Sequence, residues 1–442
     1  MISRFFVKRL SVKKGATVVT KVGRKRLVGV VLLFFFLVFF FGFGVGITQG
    51  RYKDVSLALQ IIPYIKFNYY KPVSLLHLLD IYVQKGNIQD LLASLDDPYT
   101  RYLSTEQYAE LISETEGSYG GVGLYLEYKE DQLIIMRPMK GTPAEDAGLL
   151  QGDEIIAING EPTKEMAQEV AVAKVRGPSD TKVKLTIKRR NNLFDVELVR
   201  TIIKIPTVEW QVKSDPVAGK IGWLELSQFN ENTAADLEKA LAYFSEEKVT
   251  GLVLDLRYNP GGLLNSAVQV ASKFVRNGPI VYVQPRTGRE MVYPAIPYEG
   301  PEFPLVVLVN EWSASASEIV AGAIKDRNAG TLVGATTFGK GVVQDVIPLW
   351  GGGALTLTVA NYLTAGGNSI HEKGITPDVL VGTAEEKEDL IQKYTDDTGG
   401  DRQLKGEAYQ ELQKIDEKQK EKALEVLREK ILHASWQEKE VA

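Results

Sequence analysis

Three serines alternate with alanine in Ser313-Ala314-Ser315-Ala316-Ser317-Glu318, and a lysine stands between glycines in Phe338-Gly339-Lys340-Gly341. A run of small residues opening an apolar helix lets backbone approach a ligand closely. The helix start also offers unpaired N–H groups to an anion. Thr336 to Pro348 carries Val342, Val343, Val346 and Ile347, so it reads as a strand. Alternate residues of a strand share a face, which puts Lys340 and Gln344 on one side. A serine at a helix start with a lysine entering a strand is a candidate nucleophile–base pair.

The alternatives for a base are few. Cysteine is absent, and the three histidines are His77, His371 and His433. His77 falls in a helical arm and His433 in a charged tail, whereas His371 near the end of the α/β region stays open as a partner for Ser315. No cluster has metal-ligand spacing and no Walker-type phosphate loop occurs, so neither a metal nor a cofactor is expected. Lysine serves as a base only when its pKa falls far below the usual ~10.4, as burial among apolar neighbours brings about. Phe338, Val342 and Val343 suit that purpose, and Gln344 would orient a neutral amine without adding charge. The plainer reading also stands: Ser315-x-x-Glu318 fits a capping box, Ser313 and Ser317 fit turn or cap residues, and most lysines are solvated.

Around this stretch, strands and helices alternate. Lys220 to Leu226 and Thr250 to Leu256 read as strands and Thr233 to Phe244 as an amphipathic helix. Leu305 to Asn310 and Thr331 to Gly334 add strands on either side of the serine helix, so the region is a layered α/β domain. Residues 113–203 differ, with glycines at 117, 120, 121 and 123 and short apolar runs between turns. Gly121-Val122-Gly123-Leu124, Thr142-Pro143-Ala144-Glu145-Asp146-Ala147-Gly148-Leu149 and Gly152-Asp153-Glu154-Ile155 together resemble a PDZ domain. That resemblance makes Gly121, Val122, Gly123 and Leu124 a carboxylate-binding loop beside a sheet edge that takes a peptide as an added strand. Arg176, just after the PDZ helix, is a candidate for coupling the domains by pairing with an acid or a main-chain carbonyl.

The flanks are helical. Residues 49–112 have helical apolar spacing broken by Asp96-Asp97-Pro98-Tyr99, with a capping box from Ser104 to Gln107, and read as a connector or dimerisation arm without a catalytic cluster. Residues 383–442 are charged and helical. The thin apolar stripe through Leu412, Ile415, Leu424, Val426, Leu427 and Ile431 suits docking on the body or on a partner subunit. At the other end, nine of the 52 basic residues lie in positions 1–26 without one acid, ahead of an uncharged apolar run from Leu27 to Ile47. That length crosses a bilayer, and the basic flank predicts its cytoplasmic side. Residues 27–48 are therefore expected to be a transmembrane anchor, or a cleaved signal, with the catalytic body on the extracytoplasmic side of the cell membrane. The rest of the chain is acidic and a poor nucleic-acid binder.

From residue 50 to 382 the chain resembles the carboxyl-terminal processing peptidases, tail-specific serine proteases with a Ser–Lys dyad. The residues that carry the likeness are Asp255-Leu256-Arg257-x-Asn259-Pro260-Gly261-Gly262, Asn310, Ser313 to Ile319, Asp326, Thr337 to Gly341, Gln344, Gly374-Ile375-x-Pro377-Asp378 and the PDZ unit. The resemblance implies a crotonase-like α/β protease core (204–382) with an inserted PDZ domain, flanking helical arms and the N-terminal transmembrane helix. It implies Ser315 as nucleophile, Lys340 as base, Gln344 as its positioner, and the N–H groups of Ala316 and of Gly261 or Gly262 as the oxyanion hole. Protein or peptide substrates with apolar C-termini, delivered by the PDZ domain to a homodimer, are the expected partners. Tyr362-Leu363-Thr364-Ala365-Gly366-Gly367 lacks the proline usual in that family's Tyr-x-Thr-Pro segment. Two other readings remain: a PDZ scaffold on an inactive protease fold, and a crotonase-type acyl-CoA enzyme.

Overall fold

The runs Gly251–Asp255 and Leu305–Val309 lie side by side and parallel, with every residue of both buried. Strands covered on both faces need no polar alternation, which is why they read as plain apolar runs. The structure is a computed structural model that describes residues 54–129, 132–164, 166–383, 385–387, 389 and 406–441. The anchor expected over 27–48 and the stretch 390–405 of the tail expected to be helical lie outside the described residues. Among the described residues, no helix is long and apolar enough to cross a membrane.

The arm contains helices α1 (Val55–Asn68), α2 (Leu75–Lys85) and α3 (Ile88–Ala93), strand β1 (Arg101–Leu103) and helix α4 (Thr105–Glu116). Ser104 and Gln107 form the reciprocal capping box expected at α4, and Gly117 ends the helix in the left-handed region. The arm is more than a connector. Ile61, Ile65, Leu78 and Leu91 pack on Leu355 and Leu357, and Arg101 of β1 pairs with Thr356.

The next unit has strands β2 (Ser118–Gly121), β3 (Leu124–Lys129) and β4 (Gln132–Pro138), helix α5 (Pro143–Asp146), strands β5 (Glu154–Ile158) and β6 (Glu161–Pro162) and helix α6 (Gln168–Val175). Strands β7 (Lys182–Arg189), β8 (Asn192–Val199) and β9 (Thr201–Lys204) complete it. The order β3-β4-β5-β7-β8, with β6 on β5, leaves β3 at an edge. Leu133, Ile135, Ile155 and Ile187 meet Ala171 and Val175 of α6 in its core. Asn159 and Gly160 take positive φ (53° and 84°) in a two-residue hairpin turn between β5 and β6. β2 pairs separately with β9, and this ribbon leads into and out of the unit.

The remaining strands are β10 (Val208–Asp215), β11 (Gly219–Leu226), β12 (Gly251–Asp255), β13 (Pro279–Pro285), β14 (Met291–Pro294), β15 (Leu305–Val309), β16 (Thr331–Gly334), β17 (Val342–Pro348), β18 (Ala354–Thr364) and β19 (Val379–Leu380). The helices are α7 (Thr233–Glu246), α8 (Leu264–Ala271), α9 (Ala316–Asp326) and α10 (Gly406–Val441). Among the described residues one sheet runs β10-β11-β12-β15-β16-β19, parallel from β11 onward; a second runs β1-β18-β13-β14 with β17 also on β18. Leu237, Ala240, Leu241 and Phe244 form the buried face of α7, which joins α8, α9, β13 and β18 in the main core. The opposite face of the large sheet is covered by α10, whose Ala423 and Leu427 pack on Ile221, Trp223, Val253, Val306 and Leu308. The thin stripe of the tail therefore docks on the body.

Candidate active site

Adjacent parallel strands send their C-terminal loops to the same end of a sheet, where α/β folds place their ligands. β12, β15 and β16 are such neighbours. The loop after β12 carries Gly261 and Gly262, the loop after β15 carries Ser315, and the loop after β16 carries Lys340. Topology alone thus gathers the residues that the sequence separates.

The three serines have different surroundings. Ser313 is fully buried; its hydroxyl donates to Leu256 O at 2.8 Å and accepts from the Asn310 N–H at 3.0 Å. Ser317 is equally buried and donates to Asn259 O at 2.8 Å. Both staple the serine turn to the loop after β12. Ser315 is the half-buried one, with φ 54° and ψ −112°, a backbone state that costs a non-glycine residue about 1–3 kcal/mol. Its neighbours hold it there: the Ser315 N–H donates to Glu318 Oε2 at 2.8 Å, and the Tyr362 hydroxyl donates to Ser315 O at 3.1 Å.

Glu318 does more than cap a helix. Its carboxylate is fully buried and accepts from the Thr337 hydroxyl (2.6 Å), the Gly339 N–H (2.7 Å) and the Lys340 N–H (2.9 Å), besides Ser315. Burial pushes this carboxyl above its usual range, and the four donors pull it back toward the charged form. The serine turn and the lysine turn are thereby fastened to one side chain.

Lys340 lies just before β17, not within it, and a register shift separates Val343 from Gln344. Strand alternation is therefore not what brings Lys340 and Gln344 together; the bulged start of β17 does. Lys340 Nζ donates to Gln344 Oε1 at 3.0 Å. Burial lowers the lysine pKa below its ordinary value, the Arg101 charge lowers it further, and Asp97 and Glu318 oppose. The Gln344 amide in turn donates to Tyr99 O, and the Tyr99 ring centroid lies 4.8 Å from Nζ. Tyr99 belongs to the turn of the arm, where the sequence shows no catalytic cluster. It acts through a main-chain carbonyl, which leaves no signature in a sequence.

Of the two glycines, Gly261 (φ 109°) abuts the serine turn: a Cβ there would stand 2.9 Å from Ser315 Cβ and 3.0 Å from Ala316 N. Its own N–H is engaged, donating to Asn259 Oδ1 at 2.9 Å. Gly262 is pressed on Phe229, where a Cβ would meet Phe229 O at 2.1 Å. Among the described residues, the N–H groups of Gly262 and Ala316 have no protein partner. These two are free to receive an oxyanion.

Other sequence candidates resolve as follows. His371 packs against Gly341, with its Nδ1 buried and without a partner, and makes no hydrogen bond to Ser315. Asp326 closes α9 and accepts the Gly366 N–H at 2.7 Å, so it ties down the loop that lacks the family's proline. In the glycine loop, the carbonyls of Val122 and Gly123 accept from Ala144 and Met139 N–H, both at 2.9 Å, and Val122 and Leu124 are buried beside α6. Among the described residues Arg176 makes no hydrogen bond or salt bridge; its guanidinium lies over the Tyr119 ring at 4.5 Å, and its charge acts on Glu114 of α4. Arg200 occupies Lys174 O and Val175 O at the end of α6. Arg200 carries no signal in the sequence, and Tyr362 enters there only as part of a family segment, because the contacts of each are set by distant partners.

The family model of Peptidase family S41 matches residues 220–381, and that of the PDZ domain matches residues 110–188. The carboxyl-terminal-processing protease of Synechocystis sp. is 41% identical over 298 residues, covering 66% of this chain and 70% of the relative. The carboxy-terminal-processing protease of Bartonella bacilliformis is 37% identical over 373 residues, covering 79% and 83%. Among solved structures, a photosystem II D1 C-terminal processing protease aligns at TM-score 0.47 and 32% identity, covering 76% of this chain and 94% of that one. The scaffold and acyl-CoA readings give way to this kinship, and the chain belongs to the carboxyl-terminal processing proteases of family S41, as a serine peptidase bearing a PDZ domain.

Proposed function

We propose that this protease works as a membrane-tethered endopeptidase in which Ser315 attacks the scissile carbonyl while Lys340, as a free amine, takes its hydroxyl proton. The negative charge moves to the carbonyl oxygen, which the N–H groups of Ala316 and Gly262 receive; such donors commonly contribute ~3–4 kcal/mol to barrier lowering. The Lys340 ammonium then protonates the leaving amine as the peptide bond breaks. Water, deprotonated by the regenerated amine, adds to the acyl carbonyl; the bond to Ser315 Oγ breaks, and Oγ takes the proton back from Lys340. The observation that carries this reading is a half-buried lysine amine whose hydrogen-bond partner is a neutral amide and whose pKa is lowered by burial, on a turn that shares Glu318 with Ser315.

Delivery falls to the PDZ unit. The backbone of Gly121, Val122, Gly123 and Leu124 takes the substrate's terminal carboxylate, and the unpaired edge of β3 takes its last residues as a strand, with an apolar end favoured. Arg176 on Tyr119 links that unit to the ribbon and so to gating of the dyad. The basic residues 1–26 and the apolar run that follows support a single-pass anchor with the protease outside the cytoplasm. The exposed apolar side chains Leu76 and Trp350 (77% and 82% exposed) support pairing of two copies through the arm.

The test uses the full chain in detergent, beside Ser315→Ala and Lys340→Ala, with an unfolded protein substrate ending in a free or an amidated apolar terminus. Cleavage by the parent alone, weaker on the amidated substrate, supports the dyad and the PDZ delivery. Full activity in Lys340→Ala would move the base elsewhere, with His371 first in line.

A further inference from the structure

We propose that the arm turn Asp97-Pro98-Tyr99-Thr100-Arg101 is a working wall of the base site: it fixes the orientation of Gln344 and sets the charge felt by Lys340. The inference rests on Lys340 being the base, and it gives the arm a role that its sequence did not announce.

The first part is an argument about an amide. Gln344 has one face that accepts and one that donates, and either could meet the lysine. A main-chain carbonyl can only accept. Tyr99 O therefore takes the Gln344 NH2 group, which leaves Oε1 toward Lys340 Nζ at 3.0 Å. One N–H of the amine is then committed to Oε1, which restricts the directions open to its lone pair. Without the Tyr99 carbonyl the amide is free to turn over and point its own donor at the amine, where it occupies the lone pair of the free base.

The turn is built to hold that carbonyl still. Asp97 is buried; its Oδ1 accepts the Tyr99 N–H at 3.0 Å and its Oδ2 the Thr100 hydroxyl at 2.7 Å. The Thr358 N–H of β18 donates to Thr100 Oγ1 at 3.1 Å, and the Thr356 hydroxyl of β18 lies 3.1 Å from both Tyr99 O and Arg101 O, able to donate to either. β18 is also the strand that pairs with β17, which carries Gln344. Arm, amide and lysine are thus registered on one strand.

The second part concerns charge. Among the described residues, the charged groups acting on Lys340 are Arg101 and Asp97 from the arm and Glu318 from α9; the Tyr99 ring faces the amine as well. Arg101 disfavours the ammonium, whereas Asp97 and Glu318 favour it. The ring shields the amine from water but also attracts an ammonium, so its two effects oppose each other. The two arm charges act in opposite directions, which makes them the sharper probe. They are positioning residues, since they reach substrate only through Lys340.

The experiment measures the pH dependence of kcat/KM for the full chain, whose acid limb reports the free-enzyme base. Arg101→Gln is expected to move that limb to higher pH, with a several-fold loss below the limb and little loss above it. The charge-keeping Arg101→Lys should return the limb to the parental position. Asp97→Asn, with its fold checked by circular dichroism, should move the limb to lower pH. A structural role alone would scale activity at every pH and leave the limb in place. If neither charge change moves it, or both move it the same way, the proposal is overturned. Lys340→Ala run alongside keeps the two readings apart: full activity there defeats the lysine base itself, whereas a silent Lys340→Ala with immobile limbs defeats only the role of the arm.

Discussion

Ser315 and Lys340 share one carboxylate oxygen: both backbone N–H groups donate to Glu318 Oε2, at 2.8 and 2.9 Å. The turns that carry the proposed nucleophile and base are therefore fastened to each other through one buried side chain. Glu318→Gln keeps the shape but leaves one oxygen for four donors, so two buried donors must face an NH2 group. Each hydrogen bond lost to a charged acceptor costs about 1.5–3 kcal/mol, and a misplacement of ~1 Å costs ~10²-fold in rate. The expected result is a lower melting temperature with kcat reduced ~10²-fold and KM near the parent's. Steady-state kinetics with a thermal melt decide it, and an unchanged kcat would show that the clamp is only structural.

The three serines make a cleaner separation. Ser313 and Ser317 spend their hydroxyls on Leu256 O and Asn259 O, so replacing either by alanine removes a buried staple. Each such change should cost about 1–3 kcal/mol of stability with cleavage retained. Ser315→Ala should do the reverse: a normal melt, even a slightly raised one, with cleavage abolished. Urea unfolding and a gel-based cleavage assay on the three variants would be enough. Loss of cleavage in a well-folded Ser317→Ala would put the nucleophile in the wrong place.

Much of this site was legible because it depends on local pattern. The fully buried β12 and β15 had to be apolar throughout, and a glycine pair or a small-residue run marks close backbone approach wherever it occurs. Lys340 and Gln344 do meet, though for a different reason than strand alternation, since the bulge at Val343/Gln344 is invisible in composition. Tyr99 could not have been found, because its contribution is a carbonyl every residue possesses. The carbonyls at the end of α6 are silent for a related reason: they are held by Arg200, a residue from beyond the β7–β8 hairpin. The apolar stripe of the tail correctly required a partner. Only the exposed back of a parallel sheet, a property of topology, said which one.

Gln344 offers a pH test with a definite sign. The parent's lysine has its pKa lowered, chiefly by burial, so the acid limb of kcat/KM should lie below the ordinary lysine range. Gln344→Glu sets a carboxylate beside Nζ, favours the ammonium and moves the limb upward. Activity should fall most at neutral pH and recover toward high pH. A pH series of initial rates reads this directly. A profile of unchanged shape, merely scaled down, would mean that Gln344 holds position without influencing the proton.

The tail is held by an ion pair whose behaviour in acid follows from one number. Arg428 of α10 grips Asp215 with two nitrogens, at 2.7 Å and 3.0 Å to Oδ2, and the Val217 and Ala218 N–H groups add to it. The arginine contacts, first among the causes, bring the Asp215 pKa down to about 2. A carboxylate depressed in the folded state contributes stability above its unfolded pKa, ~3.9, and loses it as pH falls through the folded value. Arg428 is 37% exposed, so the contribution is partly screened and should shrink with added salt. Asp215→Asn removes the pair at every pH. The parent should therefore exceed the variant in urea-unfolding free energy by a constant amount near neutrality, and that margin should close as the pH approaches about 2. No margin at neutral pH would mean that the pair contributes nothing and that α10 is held by Ala423, Leu427 and their apolar neighbours alone.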